Sequence, residues 1–70
     1  MTRLQTEVLE YIKHFITANG YAPTYREIAE GLSLSAISQA YKIVKRLEKE
    51  NLIIISKHGI RKIRLPATLH

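Results

Sequence analysis

A mainly α fold with a small β-hairpin, three helices and then two strands, is what this 70-residue sequence predicts. Three observations carry that expectation. Thr2-x-x-Gln5 and Thr24-x-x-Glu27 each have the capping-box spacing that opens a helix. Apolar residues recur every three or four positions as far as Leu47. Beyond Asn51 the helical period gives way to short runs rich in isoleucine, around a His58-Gly59 pair.

The first helix is expected to start at Thr2, with Leu4, Val8, Tyr11, Ile12, Phe15 and Ile16 on its inward face. Asn19-Gly20 supplies the left-handed stop, and His14, with no ligand partner at helical spacing, reads as a surface residue. Ala22 precedes a proline and is biased to extended backbone, so Pro23 leads sharply into a second, short helix capped by Thr24. Ile28, Ala29 and Leu32 face inward there, and Gly31 weakens the helix where it should end. Ser33 or Ser35 is expected to cap a third helix, with Leu34 as the apolar anchor of the turn.

That third helix should run from about Ala36 to Glu50, with Ile37, Ala40, Ile43, Val44 and Leu47 on one side. Ser38, Tyr41, Lys42, Lys45 and Lys49 fall opposite, with Gln39 and Arg46 on the flank, and Asn51 suits a left-handed cap. "LIIIS" and "IRKIRL" then read as strands joined by a tight turn at His58-Gly59. Ile60 and Ile63 are three apart, so a bulge or a late strand start near Lys62 is expected. Pro66 ends the strand. One domain over 1–66 and a frayed tail over 67–70 follow.

Two helices across a tight turn, the second exposed, form a helix-turn-helix; the hairpin makes it winged. A hydrophobic content of 46% argues for a packed domain over a disordered chain. The absence of cysteine excludes disulfides and thiolate metal sites. No apolar run spans a bilayer and no secretory leader is visible, so a cytoplasmic location is expected. No nucleophile sits beside a base and the three histidines lack ligand spacing, so neither an enzyme nor a cofactor or small-molecule site is expected.

The net charge of +5 is unevenly placed. Lys42 to Arg64 holds eight Lys or Arg against two Glu, 8 − 2 = +6, and the remainder holds three bases against four acids, −1. A basic half on a near-neutral half points to a polyanion, with nucleic acid first and an anionic membrane surface second. A major groove admits one helix whose outer face is polar. Ser38 and Gln39 are suited to base edges, Gln39 being of the type that pairs with adenine, while Lys42 reaches guanine or phosphate. Tyr41 can donate to phosphate or pack on a thymine methyl, and Lys45, Arg46 and Lys49 suit phosphate. Phosphate is also expected at Thr24, Tyr25 and Ser35, around the start of the second helix and the turn. Lys57, His58 and Arg61 would lie on the backbone or in the minor groove. The rival reading is a winged helix that binds protein through an apolar patch. Its affinity would respond little to salt, whereas DNA binding weakens steeply.

"EVLEYI", "GYAPTYREIA", Leu32 and "LEKENLI" leading into "IRL" together resemble the DNA-binding domain of the LexA repressors over most of the chain. The G-x-x-P-T-x-x-E-I-A pattern is the most specific part. The resemblance implies a winged helix-turn-helix that reads an operator through the third helix, with base readers at Ala36, Ser38, Gln39, Tyr41 and Lys42. It departs from the family at Tyr41 and Lys42, where acidic or neutral residues are usual, and so does not carry over the family's operator. Ser33 and Asn51 stand where glycines are usual. The family's serine-lysine self-cleaving domain is not in this sequence, so either a fragment of a longer repressor or a free-standing regulator is expected. A lone domain with few contacts binds weakly, so a homodimer on a two-fold operator is expected as well.

Overall fold

The computed structural model describes residues 1–66, so the expected tail over 67–70 lies outside the described residues. Three helices, α1 (Arg3–Asn19), α2 (Tyr25–Gly31) and α3 (Ile37–Lys49), precede an antiparallel pair, β1 (Ile54–Ile55) and β2 (Ile63–Arg64). Both capping boxes form. The Thr2 hydroxyl accepts from the Gln5 amide at 3.1 Å while the Gln5 side chain accepts from Thr2, and Thr24 and Glu27 do the same for α2. Gly20 closes α1 at φ 81°, its N–H donating to the Ile16 carbonyl.

Helices α2 and α3 end alike. After α2, Ser33 turns left-handed at φ 55°, its N–H reaching the Glu30 carbonyl and that of Leu34 the Ala29 carbonyl. After α3, Asn51 at φ 64° and Leu52 repeat the pattern onto Glu48 and Leu47. These are Schellman closures, in which one left-handed residue satisfies two orphan carbonyls. α2 does end at Gly31, as expected, but the left-handed residue of the closure is Ser33, and Gly31 has a further role. A β-carbon there would collide with the Tyr11 ring, whose hydroxyl donates to the Glu27 carbonyl at 3.2 Å; the glycine serves close packing of α1 on α2.

Helix α3 packs on both other helices. Val8, Leu9 and Ile12 of α1 meet Ile28 and Ala29 of α2, Ala40, Val44 and Leu47 of α3, and Ile53, Ile63 and Leu65 of the hairpin in one core. Leu9 was not foreseen on the inward face, and Leu4, Phe15, Leu32 and Ile43 are only half-buried.

Three further expectations are corrected. Neither serine caps α3: Ala36 is the N-cap, without a side-chain bond, and Ser35 stands one residue too early. Ile37 is 41% exposed, because as the first helical residue it lies on the rim of a shallow depression shared with Arg26, Glu30 and Ser33. The hairpin has no tight two-residue turn. Its strands are two residues each, paired Ile54 to Arg64 and Ile55 to Ile63, and Ser56–Lys62 makes a longer loop with Gly59 at φ 91°. The second strand starts late, at Ile63, as the broken alternation indicated.

Candidate nucleic-acid interface

Burial of Ala40, Val44 and Leu47 fixes which side of α3 faces outward. Ser38, Tyr41, Lys42, Lys45, Arg46 and Lys49 are all exposed there, with Gln39 half-buried at the flank. The expected base readers thus share an accessible surface, and Ala36 stands exposed at its leading end. The Gln39 side-chain oxygen accepts from the Ser35 hydroxyl at 3.2 Å and from the Ser35 amide at 3.3 Å. With its oxygen so occupied, Gln39 is left with its NH₂ to donate, which favours a base acceptor over two-point pairing with adenine.

The basic residues of α3 are not equivalent. Lys45 donates to Glu48 at 3.0 Å, a bond that raises the ammonium above its ordinary pKa, and Arg46 donates to Glu50 at 3.2 Å. Pairs of this kind within an exposed helix are weak and exchange readily for a phosphate. Lys42 and Lys49 have no ion-pair partner among the described residues, and they line one open groove with Lys45 and Arg46.

Tyr25, at the start of α2, packs edge-on against Tyr41 of α3 with ring centroids 5.3 Å apart. Partial burial, reinforced by Tyr41, raises the Tyr25 phenol above its ordinary pKa, so it stays a hydrogen-bond donor. Beside it Thr24 is occupied: its hydroxyl accepts from the Glu27 N–H at 3.1 Å and its own N–H donates to the Glu27 carboxylate at 2.8 Å. Arg26, exposed and without an ion pair among the described residues, was missed by sequence reasoning. No signal in the sequence marked it, because Glu30 four residues on offers a helical partner that the structure does not use.

In the hairpin loop Lys57 is exposed and unpaired among the described residues. His58 turns on the Ser56 hydroxyl, which donates to its carbonyl and accepts from its N–H. Ile60, 85% exposed, stands beside them and was expected to behave as a strand residue. Arg61 differs from the expectation of a phosphate-facing cation. One guanidinium nitrogen donates to the Glu27 carboxylate at 2.7 Å and to the Ala22 carbonyl at 2.8 Å, the other to the second Glu27 oxygen at 3.2 Å. The group also stacks 4.2 Å above the Tyr21 ring. These bonds, with the Thr24 N–H, hold the Glu27 carboxyl down at about 2.

Among the described residues no group of three His, Asp or Glu could hold a metal ion, and no helix is long and apolar enough to cross a membrane.

A family model described as the LexA DNA binding domain matches residues 1–62. Among curated relatives, the LexA repressor of Clostridium botulinum is 47% identical over 49 residues, 70% of this chain and 24% of that protein. The LexA repressor of Staphylococcus haemolyticus is 38% identical over 53 residues, 76% of this chain and 26% of that protein. The LexA repressor of an Exiguobacterium species is 37% identical over 65 residues, 93% of this chain and 32% of that protein. The chain spans about a quarter to a third of the length of these relatives.

Proposed function

The chain belongs to the LexA DNA-binding domain family, and on that footing we propose that residues 1–66 bind double-stranded DNA sequence-specifically as the reading head of a cytoplasmic transcriptional repressor. Helix α3 enters the major groove, with Ala36, Ser38, Gln39, Tyr41 and Lys42 at base edges. Lys45, Arg46 and Lys49 lie along the phosphates, joined by Tyr25, Thr24 and Ser35 at the α2 end. Lys57 and His58 of the wing meet the backbone or the minor groove.

The observation that supports this reading best is the outer face of α3. Lys42 and Lys49 stand on it unpaired among the described residues, beside two cations held only by weak same-helix pairs. A helix cannot bury this face in protein without stranding charge, but phosphate neutralises it. One domain reads one half-site, so tight binding calls for two copies on a two-fold site.

Fluorescence anisotropy on a random duplex and on a duplex enriched from genomic DNA, across a salt series, tests the proposal. Log K should fall by about 0.9 per phosphate contact for each tenfold rise in salt. Specific binders prefer their site by about a thousandfold or more, and half that free energy is a factor of about thirty for a single half-site. Steep salt dependence without preference would make the domain a non-specific accessory binder. No binding at low salt would overturn the DNA reading and direct attention to a protein partner.

A further inference from the structure

The loop of the wing is weakly built, although Ile53, Ile63 and Leu65 root the hairpin in the core. Two-residue strands leave its lean against the helices little constrained by backbone bonding, and Lys57 to Ile60 are exposed. Within the loop Ser56–Lys62, Arg61 is the side chain that hydrogen-bonds to the helical part among the described residues. Its attachment is fourfold: both Glu27 oxygens, the Ala22 carbonyl and the face of Tyr21. A planar guanidinium can meet all four at once, which a point-like ammonium cannot. Glu27 in turn is fixed by the capping box of α2, so the anchor point moves with the helix-turn-helix.

We propose that Arg61 and Glu27 form a latch that sets the wing's position relative to α3 and shields the Glu27 carboxylate from DNA, Arg61 acting as a positioning residue and not as a phosphate ligand. The inference rests on the DNA-binding reading. It gives Glu27 a second role that its position in a capping box does not suggest. An unpaired carboxylate at the start of α2 would repel a phosphate approaching Tyr25 or Arg26. Bonded to Arg61, that charge is neutralised and the wing loop is held by the same contact.

The latch and the phosphate-ligand alternative differ in sign for two conservative variants. Glu27→Gln keeps the capping oxygen and removes one negative charge, raising the net charge by one. If charge alone matters, it binds DNA more tightly. If the latch positions the wing, it binds the enriched duplex about three- to tenfold more weakly, a factor matching the net loss of one ordinary hydrogen-bonded contact. Arg61→Lys keeps the charge but loses the fork. A phosphate ligand would tolerate that change, whereas the latch predicts the same three- to tenfold loss with the salt slope unchanged.

Both variants and the wild-type chain would be titrated by anisotropy against enriched and random duplexes, with thermal melting used to confirm folding. Weakened binding of both folded variants to the enriched duplex, with a smaller loss on random DNA, establishes the latch. Tighter binding by Glu27→Gln with wild-type binding by Arg61→Lys overturns it and returns Arg61 to the phosphate set. Absence of binding by the wild-type chain overturns the DNA reading itself, and the latch's role with it.

Discussion

Ser33→Gly should stabilise the protein, and the gain can be worked out from the backbone. Ser33 closes α2 at φ 55°, where a β-carbon crowds the following carbonyl at a cost of about 1–2 kcal/mol. Its side chain is exposed and makes no hydrogen bond among the described residues; only its N–H is used, on the Glu30 carbonyl. Glycine keeps that bond and removes the crowding. Against this, glycine's greater freedom in the unfolded chain costs about 0.4–1 kcal/mol. The net gain is about 0.5–1 kcal/mol, which in a domain of this size raises the melting temperature by about 2–8 °C. Circular-dichroism melts and urea titrations should show a higher midpoint at constant m-value, since no buried surface changes. Ser33→Ala is the control: it retains the β-carbon and should gain nothing. A Ser33→Gly protein that melts at or below wild type, or an equal gain from Ser33→Ala, would refute the backbone argument. Asn51→Gly at φ 64° should gain less, because asparagine tolerates this region better than serine.

Other outcomes follow from the same geometry. Glu27 is held at about 2 by Arg61 and by the Thr24 backbone, below its ordinary 4.5. Its contribution to stability is therefore complete above about pH 4.5 and disappears as pH falls towards 2. Melting curves between pH 5 and 2 should show this part of the acid destabilisation missing in Glu27→Gln. Gly31→Ala should destabilise by about 1 kcal/mol despite alanine's better helix propensity, because its methyl displaces the Tyr11 ring. Tyr11→Leu in the same chain should recover most of that loss in a urea titration. Gln39→Ala should relax preference at one base pair by about 1–3 kcal/mol, whereas Lys45→Ala should weaken all duplexes alike and reduce the salt slope by about one; competition anisotropy with single-base-pair variants separates the two.

Local chemistry made most of the fold legible. The capping boxes at Thr2 and Thr24 and the left-handed turns at Gly20 and Asn51 involve residues within a few positions of one another, so spacing alone announced them. The misreadings needed contacts between distant segments. Gly31 looked like a helix breaker because glycine usually is one, and only the Tyr11 ring from α1 reveals its packing role. Ile37 had the period of a core residue, yet periodicity ignores that the first residue of a helix has no preceding turn to cover it. A tight turn at His58-Gly59 was an inference from two residues, whereas the loop length depends on where Ile63 and Leu65 find room in the core.

The outward, basic face of α3 was legible for the same local reason, because residues three and four apart share a side of the helix. What sequence could not supply was which cations are already engaged. Of the eight bases from Lys42 to Arg64, three are in ion pairs: Lys45, Arg46 and Arg61. The first two pair with acids three or four residues away at the surface of the same helix end, where such pairs are weak and a phosphate can displace those partners. Arg61 meets a carboxylate 34 residues away, a carbonyl and an aromatic ring together, and it is poorly placed to leave. Setting Arg61 aside leaves at most 8 − 1 = 7 cations in this half of the chain to answer DNA. Their full engagement would give a salt slope of about −6, and a count of charges alone would give about −7. The difference of about one is the charge committed to holding the wing in place.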